Sequence, residues 1–261
     1  MHAALLLALV LTTAGCLGWA GTQEGSAAPD TAHALVLASP FPDLVIQVDF
    51  QASNPPTQGA LAEMLDVIYT QTLKKSVRLL DPSVIPVDSA HRNGTSWTIG
   101  EVEAVHNATF RLGADPWALG VGNEAFLHVL YLDSTLRYTY FGQDRVAGGV
   151  EDRNLIVVFQ GPDPQGVKTP TLPDQVRVDQ VLLIHELGHA LGLVNNGAPM
   201  VKDHSLADDP YHSRNGDSVM FAGTDLIGLA ERNADNRMRH GVALFDADDL
   251  ADLAALRAEQ P

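Results

Sequence analysis

The sequence predicts a mixed α and β (α+β) fold: a twisted mixed sheet backed by helices, with a smaller carboxy-terminal lobe. Three observations carry that expectation. Leu44-Val45-Ile46-Gln47-Val48-Asp49-Phe50 alternates apolar and polar residues as a half-buried strand does, and the runs Phe126–Leu132 and Leu155–Phe159 are short and apolar enough for central strands. Around them lie stretches of helical period, so the order strand, helix, strand, strand, helix reads as one sheet covered by helices. With 261 residues and 46% hydrophobic content the chain can bury one sizeable core, and no internal repeat is visible.

The first 15 residues, Met1 to Gly15, read as a signal peptide. Their apolar run from Ala3 to Leu11 is too short to span a bilayer and ends in small residues, and no Lys or Arg precedes it. Cys16 is the only cysteine, which excludes an internal disulfide. Its place after Thr13-Ala14-Gly15 resembles a bacterial lipobox, although that pattern prefers Leu where Thr13 stands. The resemblance implies a lipid anchor on Cys16 and an exported, cell-envelope protein that meets the membrane only through that anchor; ordinary secretion is the alternative. Leu17 to His33, rich in Gly, Ala, Ser and Thr, suits a flexible tether. Residues 34–261 are expected to form a single, monomeric domain, its amino-terminal lobe 34–192 and its carboxy-terminal lobe 193–261.

After the first strand, Asn54-Pro55-Pro56 breaks the chain, and Thr57 caps a helix carrying Leu61, Leu65, Ile68, Tyr69 and Leu73 inward to an end at Lys74-Lys75. A second helix is expected near Gly100 to Leu112. A third begins at Pro173 and Asp174 and runs through Val178, Val181, Leu182, Leu183 and Ile184, apolar enough to be buried on most sides. Asp246 caps a last helix with Leu250, Leu253 and Leu256 inward.

The chemistry lies in His185-Glu186-Leu187-Gly188-His189-Ala190-Leu191-Gly192. Positions four apart on a helix lie one above the other, so His185 and His189 can offer ring nitrogens to a single Zn2+ ion. Glu186 then sits beside the metal, placed to act as general base on a zinc-bound water whose pKa is lowered to roughly 7. The plain alternative is a pair of core histidines hydrogen-bonded to backbone. Gly188, Ala190 and Gly192 weigh against it, because small residues cost helix stability that a purely structural helix would keep.

A catalytic zinc needs three protein ligands and one open position. Through Gly192 the chain resembles the metzincin clan of metallopeptidases, whose long motif is His-Glu-x-x-His-x-x-Gly-x-x-His or Asp followed by a methionine turn. Asn195 stands where the third ligand of that motif would be, and Asn195-Asn196-Gly197 looks like a left-handed helix exit. Downstream, His212-Ser213-Arg214-Asn215-Gly216-Asp217-Ser218-Val219-Met220 resembles the archaemetzincin pattern His-Cys-x-x-x-x-Cys-x-Met with both cysteines replaced by serine. The resemblance, which covers Val181 to Met220, implies His212 as third ligand, Met220 as the methionine beneath the metal, and a zinc endopeptidase of zincin or metzincin fold acting on peptide or protein. His204, beside Asp203, is the alternative third ligand, and Glu231, spaced from Asp235 as in gluzincins, a more distant one. Met220 could equally be ordinary core.

The formal charge of -16, from 32 acidic and 16 basic residues, excludes the basic footprint that nucleic acids and anionic lipid surfaces require. Asp203, Asp208 and Asp209 could bind calcium or form an exposed acidic loop. Asn93 and Asn107 are sequons that matter only in a eukaryotic secretory pathway. Two non-peptidase readings stay open: a closed four-ligand structural zinc using both His204 and His212, and a metal-delivery role. A sheet edge formed by Phe126–Leu132 or Leu155–Phe159 is expected to pair with an extended substrate.

Overall fold

The computed structural model of the chain describes residues 17–18, 31–72, 75–85, 96–134, 136–140, 143–147, 149–160, 172–221 and 245–260. The signal segment Met1 to Gly15, Cys16, Leu73, Lys74, Asn93 and the Glu231 to Asp235 stretch lie outside the described residues.

The described elements form a mixed α/β fold around a mostly parallel sheet. In chain order they are β1 (Leu17–Gly18), α1 (Thr31–Val36), β2 (Asp43–Phe50), α2 (Gln58–Gln71), β3 (Ser76–Leu79), β4 (Ser83–Val84), α3 (Ile99–Thr109), β5 (Gly120–Val121), β6 (Glu124–Asp133), β7 (Leu136–Tyr140), β8 (Gln143–Ala147), β9 (Gly149–Asp152), β10 (Leu155–Gln160), α4 (Leu172–Ala190), β11 (Ser205–Leu206), β12 (Asp209–Ser213) and α5 (Ala247–Ala258). The main sheet runs β1-β9-β10-β6-β2-β3, with β4 paired to β2 and β5 to β6. Strand β6 lies parallel to both β2 and β10, in register from Asp43 opposite Glu124 to Phe50 opposite Tyr131, and from Leu155 opposite His128 to Gln160 opposite Asp133.

Two cores follow from strand alternation. Leu44, Ile46, Val48, Leu127, Val129, Tyr131, Ile156 and Val158 face a large core shared with α1, α2, α4 and α5. Leu130, Leu132, Leu155, Val157 and Phe159 face a smaller one with Trp97 and Val102. Helix ends are set by side chains: Thr57 Oγ1 accepts from Ala60 N at 3.1 Å, and Thr98 with Glu101 closes a capping box on α3.

Several expectations need correction. Strand β2 is not half-buried; Leu44 through Asp49 are all buried, because a parallel sheet is covered on both faces. β6 lies between β10 and β2, and β10 between β9 and β6, so neither run is an edge for a peptide to extend. Part of the expected tether is structured: Leu17–Gly18 pairs with β9, and Thr31 to His33 open α1, where Ala32, Ala34, Leu35 and Val36 are buried. Helix α2 buries Ala60, Glu63, Met64, Val67 and Ile68, and Leu61 and Leu65 pack partly buried against the large core as expected, whereas Tyr69 is 59% exposed. Lys75 lies beyond the end of that helix and donates to the Phe41 carbonyl, and burial pulls its pKa down to about 8.

The polar members of β2 and β6 serve a hydrogen-bond network under α3. Gln47 Nε2 donates to Thr109 O at 2.8 Å, and Arg111 donates from its backbone to Gln47 Oε1 and from its guanidinium to Asp49 Oδ1 at 2.9 Å. His128 Nε2 lies 3.0 Å from Asp49 Oδ2 and its Nδ1 lies 2.8 Å from His106 Nδ1, while His106 Nε2 donates to Pro116 O at 3.0 Å. Burial, reinforced by neighbouring His128, lowers the His106 pKa from 6.5 to about 4. The unfolded chain therefore binds a proton between those values that the folded chain refuses. Stability from this group is complete above pH 6.5 and falls as pH drops toward 4, by about 3 kcal/mol. Denaturant unfolding at pH 7, 5 and 4 is expected to show a flatter loss in His106→Gln than in wild type; equal slopes would remove His106 as the source.

Candidate metal centre

Helix α4 is positioned by its apolar residues. Val181, Leu182, Leu183, Ile184, Leu187, Ala190 and Leu191 are buried in the large core, where the helix packs on α2, β9 and β10. That packing leaves His185 and His189 one turn apart with their rings edge-on, the planes 82° apart, the centroids 4.7 Å apart and the Nε2 atoms 3.1 Å apart. His212, on the hairpin of β11 and β12, completes the group. Its ring stacks on His185 at 5.2 Å with the planes 24° apart, and meets His189 edge-on at 5.0 Å. One ring nitrogen from each of the three lies within 4.8 Å of the others, and all three side chains are buried.

Each imidazole is held from outside the triad. His185 Nδ1 donates to Val219 O at 2.6 Å, which leaves the lone pair on Nε2. His189 Nδ1 lies 2.7 Å from Asn196 Nδ2, which also donates to Leu193 O at 3.0 Å, so Asn196 fixes the orientation of the ring. His212 Nδ1 lies 2.9 Å from Asp209 Oδ2, close enough for an ion pair but without hydrogen-bond alignment, and its Nε2 has no hydrogen-bond partner among the described residues.

Burial first, and then neighbouring His212, pushes the His185 pKa down to about 3, against the opposing pull of Val219 O and Asp209. His189 is lowered well below its usual value by burial, then by His185 and His212. The Nε2 atoms of His185 and His189 lie within hydrogen-bond distance of each other, so the two rings already share one polar focus. Three buried imidazoles with converging nitrogens are a donor set suited to zinc, so the residues present fit that ion. Glu186, between the two histidines in sequence, is fully buried in the same helix.

Met220 explains one of the small residues. A Cβ on Gly188 would fall 2.2 Å from Met220 Sδ and 3.0 Å from Phe245, so the methionine rests directly on the backbone of α4 between the two histidine turns. Gly192 ends the helix at φ 93°, and Val194, Asn195 and Gly197 also take positive φ, as the helix-exit reading requires. Asn195 donates from Nδ2 to Pro210 O at 2.7 Å, fastening the exit to the strand that carries His212.

Ser213 and Ser218, both fully buried, peg the turn that leads to Met220. Ser218 Oγ donates to Asp249 Oδ2 at 2.6 Å and accepts from Met220 N at 2.9 Å; Ser213 Oγ accepts from Asn215 N, and Ser213 N donates to Met220 O at 2.8 Å. Burial pushes the Asp249 carboxyl up to about 6, opposed by the Ser218 bond.

His204 is not brought to the triad. It is buried against α5, with Nε2 3.0 Å from Asp252 Oδ2, and groups with Asp246 and Asp249 instead, so it does not serve as the alternative third ligand. Asp203 is exposed and bonds its own neighbour Ser205, while Asp209 faces His212; they do not converge as a calcium loop would. Sequence reasoning missed Asn196, Asp209 and the Val219 carbonyl, all of which orient rings. Only a polar residue close in sequence to a ligand could have signalled the first two; nothing could have signalled a carbonyl. Comparison with protein-family models and with curated proteins returned no match to this chain.

Proposed function

We propose that the protein is a zinc-dependent endopeptidase of metzincin-like fold, with His185, His189 and His212 as the ligands and Glu186 as the general base. The observation that carries this reading is the convergence of three buried imidazoles, two from one helix and the third from a separate hairpin, next in the chain to a buried glutamate. A Zn2+ ion held by these rings supplies a Lewis acid and lowers the pKa of a water to about 7. The chain's own part is to orient the rings through Val219, Asn196 and Asp209, and to exclude bulk water by burial. Glu186 accepts the proton of the attacking water and passes it to the leaving amine. Met220 supports the helix from below at Gly188.

A closed four-ligand structural site would need His204 beside His212, and His204 lies with the carboxylates of α5, which favours a three-ligand centre with room for solvent. The substrate is a peptide or protein, and the setting proposed is export to the cell envelope through Cys16. None of the described helices is long and apolar enough to cross a membrane. The test is hydrolysis of a peptide library before and after chelator treatment. Cleavage that disappears with the metal and returns on adding Zn2+ is expected; a metal-loaded protein that cleaves no member of the library would overturn the reading.

A further inference from the structure

Outside the three-histidine centre, a second buried group of ligating side chains joins the loop after α4 to α5. His204 Nε2 donates to Asp252 Oδ2 at 3.0 Å, which leaves Nδ1 as the ring atom turned to the rest of the group. That atom faces Asp249 Oδ1 at 3.6 Å, beyond hydrogen-bond reach, and neither atom has a hydrogen-bond partner among the described residues. The other oxygen of Asp249 is already engaged by Ser218 Oγ and by Asp246 N. Asp246, the cap of α5, brings a third ligand atom within 4.8 Å of the other two. His204 and Asp249 are 1% and 0% exposed.

A ring nitrogen and a carboxylate oxygen that face each other, buried and without hydrogen-bond partners among the described residues, with a further carboxylate beside them, offer ligand atoms to a cation between them. We propose that His204, Asp246 and Asp249 form a second divalent-cation site, distinct from the three-histidine centre, that clamps the 199–206 loop onto α5. One imidazole and two carboxylates are a donor set for a borderline ion such as Zn2+. Asp252 is its positioning residue: it takes the far N–H of His204, as carboxylates do behind metal-bound imidazoles, and also accepts from Val201 N at 2.7 Å. The clamp bears on the catalytic centre through the hairpin, because Arg214 N, two residues past His212, donates to His204 O at 2.8 Å.

The experiment is equilibrium dialysis of the whole protein against Zn2+, with zinc counted per chain. Two ions are expected in wild type, one in His204→Gln, and one in the His185→Ala, His189→Ala double variant. Asp252→Asn is expected to keep the second site with affinity about 10- to 100-fold weaker. A wild-type count, whether one or two, that is unchanged in His204→Gln overturns the second site, as does a double variant that binds no zinc. If wild type binds one ion, and that ion is lost in His204→Gln but kept in the double variant, the second site stands and the zinc-peptidase reading falls. Should His204→Gln fail to fold, the double variant decides alone.

Discussion

Glu186→Gln is expected to lower peptide hydrolysis about 10²- to 10⁴-fold while zinc stays bound at the wild-type level. The substitution keeps the length and shape of the side chain in a position that is fully buried, so α4 and its packing are preserved and only the proton-accepting group is lost. A general base contributes to the transition state more than to substrate binding, so the loss is expected in kcat, with KM little changed. Zinc content and steady-state kinetics on the same preparation check this. A variant that keeps zinc and full turnover would show that another group handles the proton.

The second large effect is expected at His212. In a His204→Gln background, where of the two proposed sites among the described residues only the three-histidine centre is left, adding His212→Ala is expected to weaken zinc at least about 100-fold, or about 3 kcal/mol, and to abolish hydrolysis. Loss of an orienting outer group alone reaches that range, and His212 is proposed as a direct ligand. Two histidines on a helix do not hold a catalytic zinc without a third donor. Retention of stoichiometric zinc by the combined variant would remove His212 from the ligand set. The order of severity is also informative: Asp209→Asn, which alters only a group beside the His212 ring, should cost less than removal of the ring itself.

Local signals were legible where the chain's own period does the work. His185 and His189 meet because α4 is helical and they are four apart, and the start of α2 at Thr57 and of α5 at Asp246 follows from side-chain capping. The strands at Leu44, Phe126 and Leu155 were visible as apolar runs, yet their places were not. A run of buried residues is the same whether its neighbours lie on one side or both, so the expected edges are interior strands, and the apparently solvent-facing Gln47 and Asp49 are buried under α3. Likewise Gly188 was legible as unusual in a helix, but its cause, the approach of Met220 from a turn more than thirty residues later, was not.

The imidazole pair with its neighbouring carboxylate, and with it the proposed class of chemistry, follows from spacing along one helix, because a helical turn relates residues through the backbone alone. Which of two later histidines joins that pair was decided in three dimensions. His204 and His212 are eight residues apart on the same loop and hairpin, and no local rule separates them. Ser218 bonded to Asp249 and Asn195 bonded to Pro210 set how the turn and the hairpin lie against the two helices, delivering His212 to α4 and His204 to the carboxylates of α5. Long-range contacts of this kind depend on how separately specified elements pack together, and that information is spread over the whole chain.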